Sequence, residues 1–317
     1  VTHSIGVDVG GTKIAAGVVD EKGEILASTR RDTPSQDAAS IIAAIVGAID
    51  ELRADHAADV VGIGAAGFVD AGRSRVVFAP NLVWQDVDLR DEVSAATGLP
   101  VVVENDANAA AWAEFRFGAA VDVDDMMMLT IGTGVGGALV LNGALYRGSH
   151  GMSGEVGHVR LVPDGQLCAC GLRGCLEAYA SGRALVRNAR SAATKAAAAL
   201  PGSADRLLEL AGGDPHAITG PMVTAAAKEG DVLAAYLIAE VGTWLGAAMG
   251  SFTAIFDPAA FVIGGGVADA GELLLKPAED AMRRSVTGGN YRPQATIRLA
   301  TLGNEAGIVG AADLGRV

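Results

Sequence analysis

Short apolar runs alternate with glycine-marked turns along this chain, and that pattern predicts most of its elements before any chemistry is considered. An apolar strand ends in Val7-Asp8-Val9, Gly10-Gly11-Thr12 marks a turn, and residues 13–19 read as a second strand. Glu21-Lys22-Gly23-Glu24 turns the chain into a third strand. Residues 38–52 carry apolar positions at helical spacing with polar flanks, 60–66 read as a glycine-interrupted strand, 88–97 as a helix and 101–103 as a short buried strand. Residues 105–117 are Ala-rich and helical, and they close a first domain. From Met126 the plan restarts: strand, Gly132-Thr133-Gly134, strand, and a turn at Asn142-Gly143. A repeated strand, glycine turn and strand predicts two related α/β halves. The segment 148–177 is rich in Gly, Cys and His and too long for a plain connector. Residues 183–200 and 204–250 read as mostly helical, broken near Pro201-Gly202, at 212–215 and near Gly220-Pro221. Residues 260–263 and 295–300 read as strands, and the last segment, from Asn304, as a terminal helix.

Composition narrows the class. A chain of 317 residues, half of them apolar and 19% charged, is sized for two packed domains. A net charge of −13 without any Lys/Arg cluster argues against a nucleic-acid partner. The opening residues lack the basic and apolar regions of a signal peptide. The uncharged window 126–146 has a membrane-compatible length, but five glycines and two threonines interrupt it, so two strands and a turn describe it better than a spanning helix. A soluble cytoplasmic protein without membrane insertion is the expectation.

All three cysteines fall between residues 168 and 175, an odd and crowded set that makes a poor disulfide framework. With His158, the thiolates of Cys168, Cys170 and Cys175 make a closed tetrahedral zinc set, and Gly171 and Gly174 let the chain fold back upon it. Four protein ligands leave no position for water, so the expected Zn2+ is structural. Glu155, His158 and Glu177 then read either as a ligand-binding shell oriented by the metal loop or as solvated groups near an ion.

Three glycine turns follow apolar strands: Gly10-Gly11-Thr12-Lys13, Gly132-Thr133-Gly134-Val135-Gly136-Gly137 and Gly264-Gly265-Gly266. Glycine there permits positive φ and close backbone approach, so N–H groups can converge on an anion, with Thr12, Thr133 and Lys13 adding donors and charge. Each alone also reads as an ordinary turn, and none fits the Walker or dinucleotide pattern. Asp106 follows the strand 101–103. It reads equally as a base that takes a proton from a sugar hydroxyl during phosphoryl transfer or as one of three helix-capping residues with Asn105 and Asn108.

Together, Asp8-Val9-Gly10-Gly11-Thr12-Lys13, Glu104-Asn105-Asp106-Ala107-Asn108, the glycine turn from Gly132, Gly154-Glu155-Val156-Gly157-His158 and Cys168-Ala169-Cys170-Gly171-Leu172-Arg173-Gly174-Cys175-Leu176-Glu177 resemble the ROK family of repressors, open reading frames and kinases, most of all its glucose-phosphorylating kinases. The motifs stand in family order over nearly the whole chain. The resemblance implies an actin-like, hexokinase-like fold of two α/β domains with a cleft between them. Its small domain would span 1–118, the helix at about 304–317 returning to it; its large domain would span 119–303 and contain the zinc loop 148–177. It implies ATP-dependent phosphorylation of glucose with Mg2+, and a homodimer or homotetramer. Asp106 is then the catalytic base, and Gly67, Asn81, Asn105, Glu155, His158 and Glu177 contact the sugar. Gly10, Gly11, Thr12 and Lys13 resemble one phosphate loop, Gly132, Thr133 and Gly134 the other, and Gly265 and Gly266 an adenosine-side turn. Asp8 would hold the metal–nucleotide through water. Val83 departs from the Pro that the family commonly carries before the Trp. Related kinases act on other hexoses or use polyphosphate. Sugar-sensing regulators of the family carry a helix-turn-helix domain ahead of the first strand, where only a few residues stand here.

Overall fold

The computed structural model describes residues 3–34, 37–79, 82, 84–199 and 204–317. The chain divides into two compact units, one of Val1–Met127, Ala138–Gly154 and Ala300–Val317, the other of Met128–Gly137 and Glu155–Leu299.

In the first unit, β1 (Ser4–Val9), β2 (Lys13–Val19) and β3 (Ile25–Asp32) precede helix α1 (Ala38–Arg53) and strand β4 (Val60–Ala65). Asp37 caps α1 by accepting the Ser40 N–H at 2.7 Å. Three short strands follow, β5 (Phe68–Val69), β6 (Val76–Ala79) and β7 (Trp84–Val87), then α2 (Leu89–Thr97), β8 (Val101–Asn105) and α3 (Asp106–Phe117). The main sheet has the order β3-β2-β1-β4-β8, with β2 antiparallel to its neighbours and β1, β4 and β8 parallel. One face of its central strand is apolar: Ile5, Val7 and Val9 are fully buried in one core with Ile41, Ile45 and Ile49 of α1, while Ser4, Gly6 and Asp8 alternate with them on the other face. The sheet β5-β6-β7 was not foreseen, because strands of two to four residues carry too little alternation to be read.

The second five-stranded sheet has the order β11-β10-β9-β12-β13, made of β9 (Met126–Ile131), β10 (Val135–Leu141), β11 (Ala144–Tyr146), β12 (Ala260–Gly264) and β13 (Thr296–Leu299). Asn142 and Gly143 both take positive φ, as the tight hairpin between β10 and β11 demands. Between β11 and β12 come α4 (Glu177–Ala180), α5 (Gly182–Ala199), α6 (Asp205–Leu210), α7 (Gly220–Lys228) and α8 (Val232–Phe256). Helix α9 (Glu272–Ser285) separates β12 from β13, and α10 (Ala306–Leu314) ends the chain. The α-helix stops at Leu210 and resumes at Gly220, so the stretch is interrupted at 212–215 and up to Gly220-Pro221, where proline fits the first turn of α7 because no N–H partner is needed there. A further break falls at Gly230, with positive φ, and at Asp231, which caps α8 through Ala234 N–H at 2.9 Å. The expected break near Pro201-Gly202 lies outside the described residues. Helix α8 is long and apolar enough to cross a membrane, and half of its most apolar stretch is buried in the protein, packed on α9 and α7 as a core helix is.

Helix α10 lies directly on the first sheet. Gly6 and Gly62 are paired across β1 and β4, and a Cβ at either would stand 1.9 Å from the Ile308 carbonyl oxygen or 1.7 Å from that of Ala311. Gly310 meets the Ala109 carbonyl of α3 in the same way, at 1.8 Å. Side chains lock the pair: Trp112 Nε1 donates to Asp313 at 2.8 Å, and buried Glu114 accepts the N–H groups of Ala119, Thr301 and Leu302. The helix that begins with Asp106 is thereby held from beneath.

Candidate active site

Asn105, not Asp106, caps α3: its Oδ1 accepts the Asn108 N–H at 3.0 Å while its Nδ2 donates to the Gly67 carbonyl at 3.1 Å. Of the two roles open to Asp106, capping therefore belongs to its neighbour. Asp106 is half-buried at the carboxyl end of β8, and its Oδ1 accepts the adjacent Ala107 N–H at 2.9 Å. Burial pushes its carboxyl above the usual range, against the pull of that N–H and of Asn105. Asn81 lies outside the described residues.

One residue before Asn105 stands a network that sequence reading missed. Glu104 is 1% exposed; its Oε1 accepts the Asn105 N–H and Asn108 Nδ2, both at 2.9 Å. Its Oε2 lies 2.7 Å from Arg147 Nε and 3.2 Å from Arg73 Nε. The Arg147 contact is an ion pair whose angle falls outside hydrogen-bond geometry. Arg147 also donates to the carbonyls of Asp70 and Ala71 at 2.8 and 3.0 Å. An acid placed after three valines in a buried strand signals a required cation, but only the fold identifies which arginines answer. Glu104→Ala would strand both guanidinium groups and free Asn105; a loss of about 3–5 kcal/mol in urea unfolding is expected, and an unchanged midpoint would contradict the clamp.

Asp8 stands next to last in β1, beside the first glycine turn, where the Gly10 N–H donates to the Lys13 carbonyl at 2.9 Å and Thr33 ties the turn down through the Gly10 carbonyl at 2.7 Å. Gly11, Thr12 and Lys13 are exposed. A Cβ at Gly307 would stand 2.8 Å from Asp8 Cγ, so the first turn of α10 is open only because it carries glycine. Burial first and the Asp106 charge second push the Asp8 carboxyl from 3.8 to about 6, with Arg30 opposing. A raised acid contributes stability that is fully present below 3.8 and lost as pH rises through about 6. Denaturant titrations over that window should show the decline, and Asp106→Asn should reduce it by removing one cause of the shift. Identical profiles in both proteins would contradict the coupling.

The second turn sits inside the other unit, gripped by the cysteine loop. Val135 N–H donates to Glu177 Oε2 at 3.1 Å, Gly182 N–H to the Gly132 carbonyl at 2.8 Å, and Arg183 N–H to the Thr133 carbonyl at 3.4 Å. A Cβ at Gly134 would lie 2.3 Å from Glu177 Oε2, and one at Gly157 only 2.0 Å from the Val135 carbonyl oxygen. Close approach, not positive φ, is what these glycines supply. Of Gly10, Gly11, Gly132, Gly134, Gly265 and Gly266, only Gly265 takes positive φ, at 84°. The Val267 N–H, just past that glycine, donates to the Ile131 carbonyl at 3.0 Å, which sets the third turn beside the second. Both border a cavity of about 940 Å³ lined by Thr133, Gly266 and Asp269 and by Arg183, Arg187 and Lys228 of α5 and α7. Those cations were not foreseen, since Arg and Lys on helices ordinarily read as solvated faces. Arg187 is partly committed, donating to the Ala178 carbonyl at 2.8 Å.

His158, Cys168, Cys170 and Cys175 offer donor atoms that all lie within 4.8 Å of one another. Cys168 Sγ is 3.7 Å from His158 Nδ1, and Cys170 Sγ is 3.7 Å from Cys175 Sγ. A tetrahedron with metal–sulfur bonds near 2.3 Å has edges of about 3.8 Å, so the donors fit a small tetrahedral cation, and the thiols are unlinked. His158 turns Nε2 toward Glu155, 3.9 Å from its Oε2, and Cys168 Sγ reaches Glu177 Oε1 at 3.4 Å. The structure thus brings Glu155, His158 and Glu177 together around the cysteine cluster, and Gly67, Asn105 and Asp106 together at the head of α3.

The sequence matches the family model described as ROK family over residues 4–316. The chain belongs to the ROK family. A glucokinase of Streptomyces coelicolor is 49% identical over 313 residues, covering 99% of this chain and 97% of that one. A ROK family glucokinase from Streptomyces griseus, solved in complex with glucose and AMPPNP, superposes with a TM-score of 0.89 at 50% identity, covering 99% of each chain. The ROK hexokinase of Thermus thermophilus superposes with a TM-score of 0.82 at 36% identity, covering 99% of this chain and 98% of that one. Two mixed α/β sheet domains, the actin-like ATPase fold of ROK hexokinases, are what this chain shares with them.

Proposed function

We propose that the protein is an ATP-dependent glucokinase, transferring the γ-phosphoryl group of ATP to the 6-hydroxyl of glucose. The observation that carries this reading is Asp106: a half-buried carboxylate at the head of a helix, relieved of capping by Asn105 and raised above the usual range by burial. Similarity over the full chain to glucokinases, one of them solved with glucose and a nucleotide, supports both substrates. Asp106 takes the proton as the sugar oxygen forms its bond to phosphorus and the bond to the ADP oxygen breaks. Gly67, Asn81, Asn105, Glu155, His158 and Glu177 orient the sugar. Gly10, Gly11, Thr12 and Lys13, with Gly132, Thr133 and Gly134, hold phosphates, and Gly265 and Gly266 border the adenosine.

We assign to Asp8, an oxygen donor beside the first turn, the Mg2+ that neutralises phosphate charge when bound. His158, Cys168, Cys170 and Cys175 would hold Zn2+ in a closed set that orders the loop and leaves no position for chemistry. Free thiols suit a reducing compartment, and the cytoplasm is the assignment.

An acceptor panel tests the reading. With MgATP, kcat/KM for glucose should exceed that for fructose, mannose, N-acetylmannosamine and N-acetylglucosamine at least about tenfold, a margin that paired hydroxyl contacts supply. Another sugar in the lead, polyphosphate outperforming ATP, or no transfer at all would overturn it. Metal analysis should find about one zinc per chain.

A further inference from the structure

Gly182 and Arg183 of α5 hold the start of the second glycine turn, and its far end, Val135, is held from two sides by segments that both belong to the cysteine loop. On one side Gly157 presses its backbone against the Val135 carbonyl, where a Cβ would come within 2.0 Å, and its neighbour His158 is a cluster donor. On the other, Glu177 accepts the Val135 N–H at 3.1 Å and stands two residues after Cys175, another donor. The space for Glu177 exists only because position 134 is glycine. Backbone hydrogen bonds join the two segments directly, from Leu176 N–H to the Val159 carbonyl at 2.9 Å and from the Leu161 and Val162 N–H groups to the Gly174 carbonyl at 2.8 and 3.2 Å, around the antiparallel bridge of Arg160 and Cys175. The donor cluster is a further tie, and the one whose strength depends on a bound cation.

We propose that Glu177 is a positioning residue for the nucleotide: it couples occupancy of the Cys/His cluster to the geometry of the turn 132–135, so that metal loss weakens nucleotide binding even without sugar. This rests on the kinase reading, which makes that turn a phosphate loop. A bound tetrahedral cation holds His158 and Cys175 at fixed separation, and with them both faces of Val135. Without it, Glu177 can withdraw from the Val135 N–H, and the turn loses the contact that aims its neighbouring amides.

Calorimetric titration with AMPPNP, in the absence of sugar, tests the coupling on the zinc-loaded chain, the chelated chain, Glu177→Ala and Glu177→Gln. Chelation and Glu177→Ala should each weaken AMPPNP about tenfold, as expected for loss of a charge-assisted hydrogen bond. Glu177→Gln keeps an acceptor oxygen and should recover most of that loss. Chelating Glu177→Ala should weaken AMPPNP no further, because both changes remove one contact; a full further loss would show that the coupling bypasses Glu177 and would overturn the proposal. Equal affinity in loaded and chelated wild-type protein would overturn it too. Hydrogen exchange on the wild-type chain needs no variant: the Val135 amide should exchange faster after chelation, and unchanged protection would refute the clamp. Zinc-loaded protein that fails to bind AMPPNP at all would instead sink the kinase reading on which the proposal stands, while the exchange measurement still judges the clamp.

Discussion

Asp106→Asn should lower kcat by a factor on the order of 10³ while glucose still binds with an affinity within a few-fold of wild type, because a positioned base contributes roughly 10²–10⁴ in rate. Asparagine preserves shape at the first position of α3 and leaves the Asn105 cap in place, so the fold has no reason to change. It cannot accept the hydroxyl proton. The split between turnover and binding matters, since a merely structural residue would lose both together. The acid limb of the kcat/KM profile belongs to the same argument. Burial holds Asp106 above the ordinary 3.8, so the wild-type limb should lie above that value. A variant that keeps a tenth of wild-type turnover would remove Asp106 from the mechanism.

Gly62→Ala should cost about 3 kcal/mol or more in stability, the upper end of overpacking penalties, through a single methyl group. The new Cβ would stand 1.7 Å from the Ala311 carbonyl oxygen, and that oxygen is helix backbone, which cannot swing aside as a side chain does. Relief requires lifting α10, and with it Gly310 from α3 and the Asp313–Trp112 bond. Gly47→Ala, within α1, makes the contrast. Its Cβ would meet only the end of the Arg31 side chain at 2.7 Å, and the gain in helix propensity offsets the adjustment, leaving a change within about 1 kcal/mol. Urea unfolding of both variants measures the difference. Equal midpoints would mean that α10 does not rest on the β1–β4 backbone.

Chemistry confined to a short span could be read without coordinates. The donors Cys168, Cys170 and Cys175 lie within eight residues, with glycines at 171 and 174; covalent geometry alone restricts how far apart such thiols can lie. Periodicity likewise located β1, β2, α1, β4 and α3, because an apolar face repeats at the spacing of the element that buries it. Helix α9 escaped this reading: it carries Pro277 in its interior and many charges, so its apolar face is narrow. The strands β5, β6 and β7 are too short to show a period.

What only the tertiary structure decided are the contacts that convert those pieces into a site. Glu104 finds Arg147, Val135 finds Glu177 and Glu114 finds Thr301 across 43, 42 and 187 positions of chain. No local rule selects such partners, since many arginines and amides are available to each carboxylate and packing chooses among them. The division of labour between Asn105 and Asp106 is of the same kind: both suit a cap, and the end of β8 places the first as cap and leaves the second for chemistry. Residue types and short spacings determined which chemistry this chain can perform. The docking of helix on sheet, backbone against backbone at Gly6 and Gly62, determined where those groups stand, because the positions of atoms distant in sequence are set by how surfaces pack and not by the order of residues.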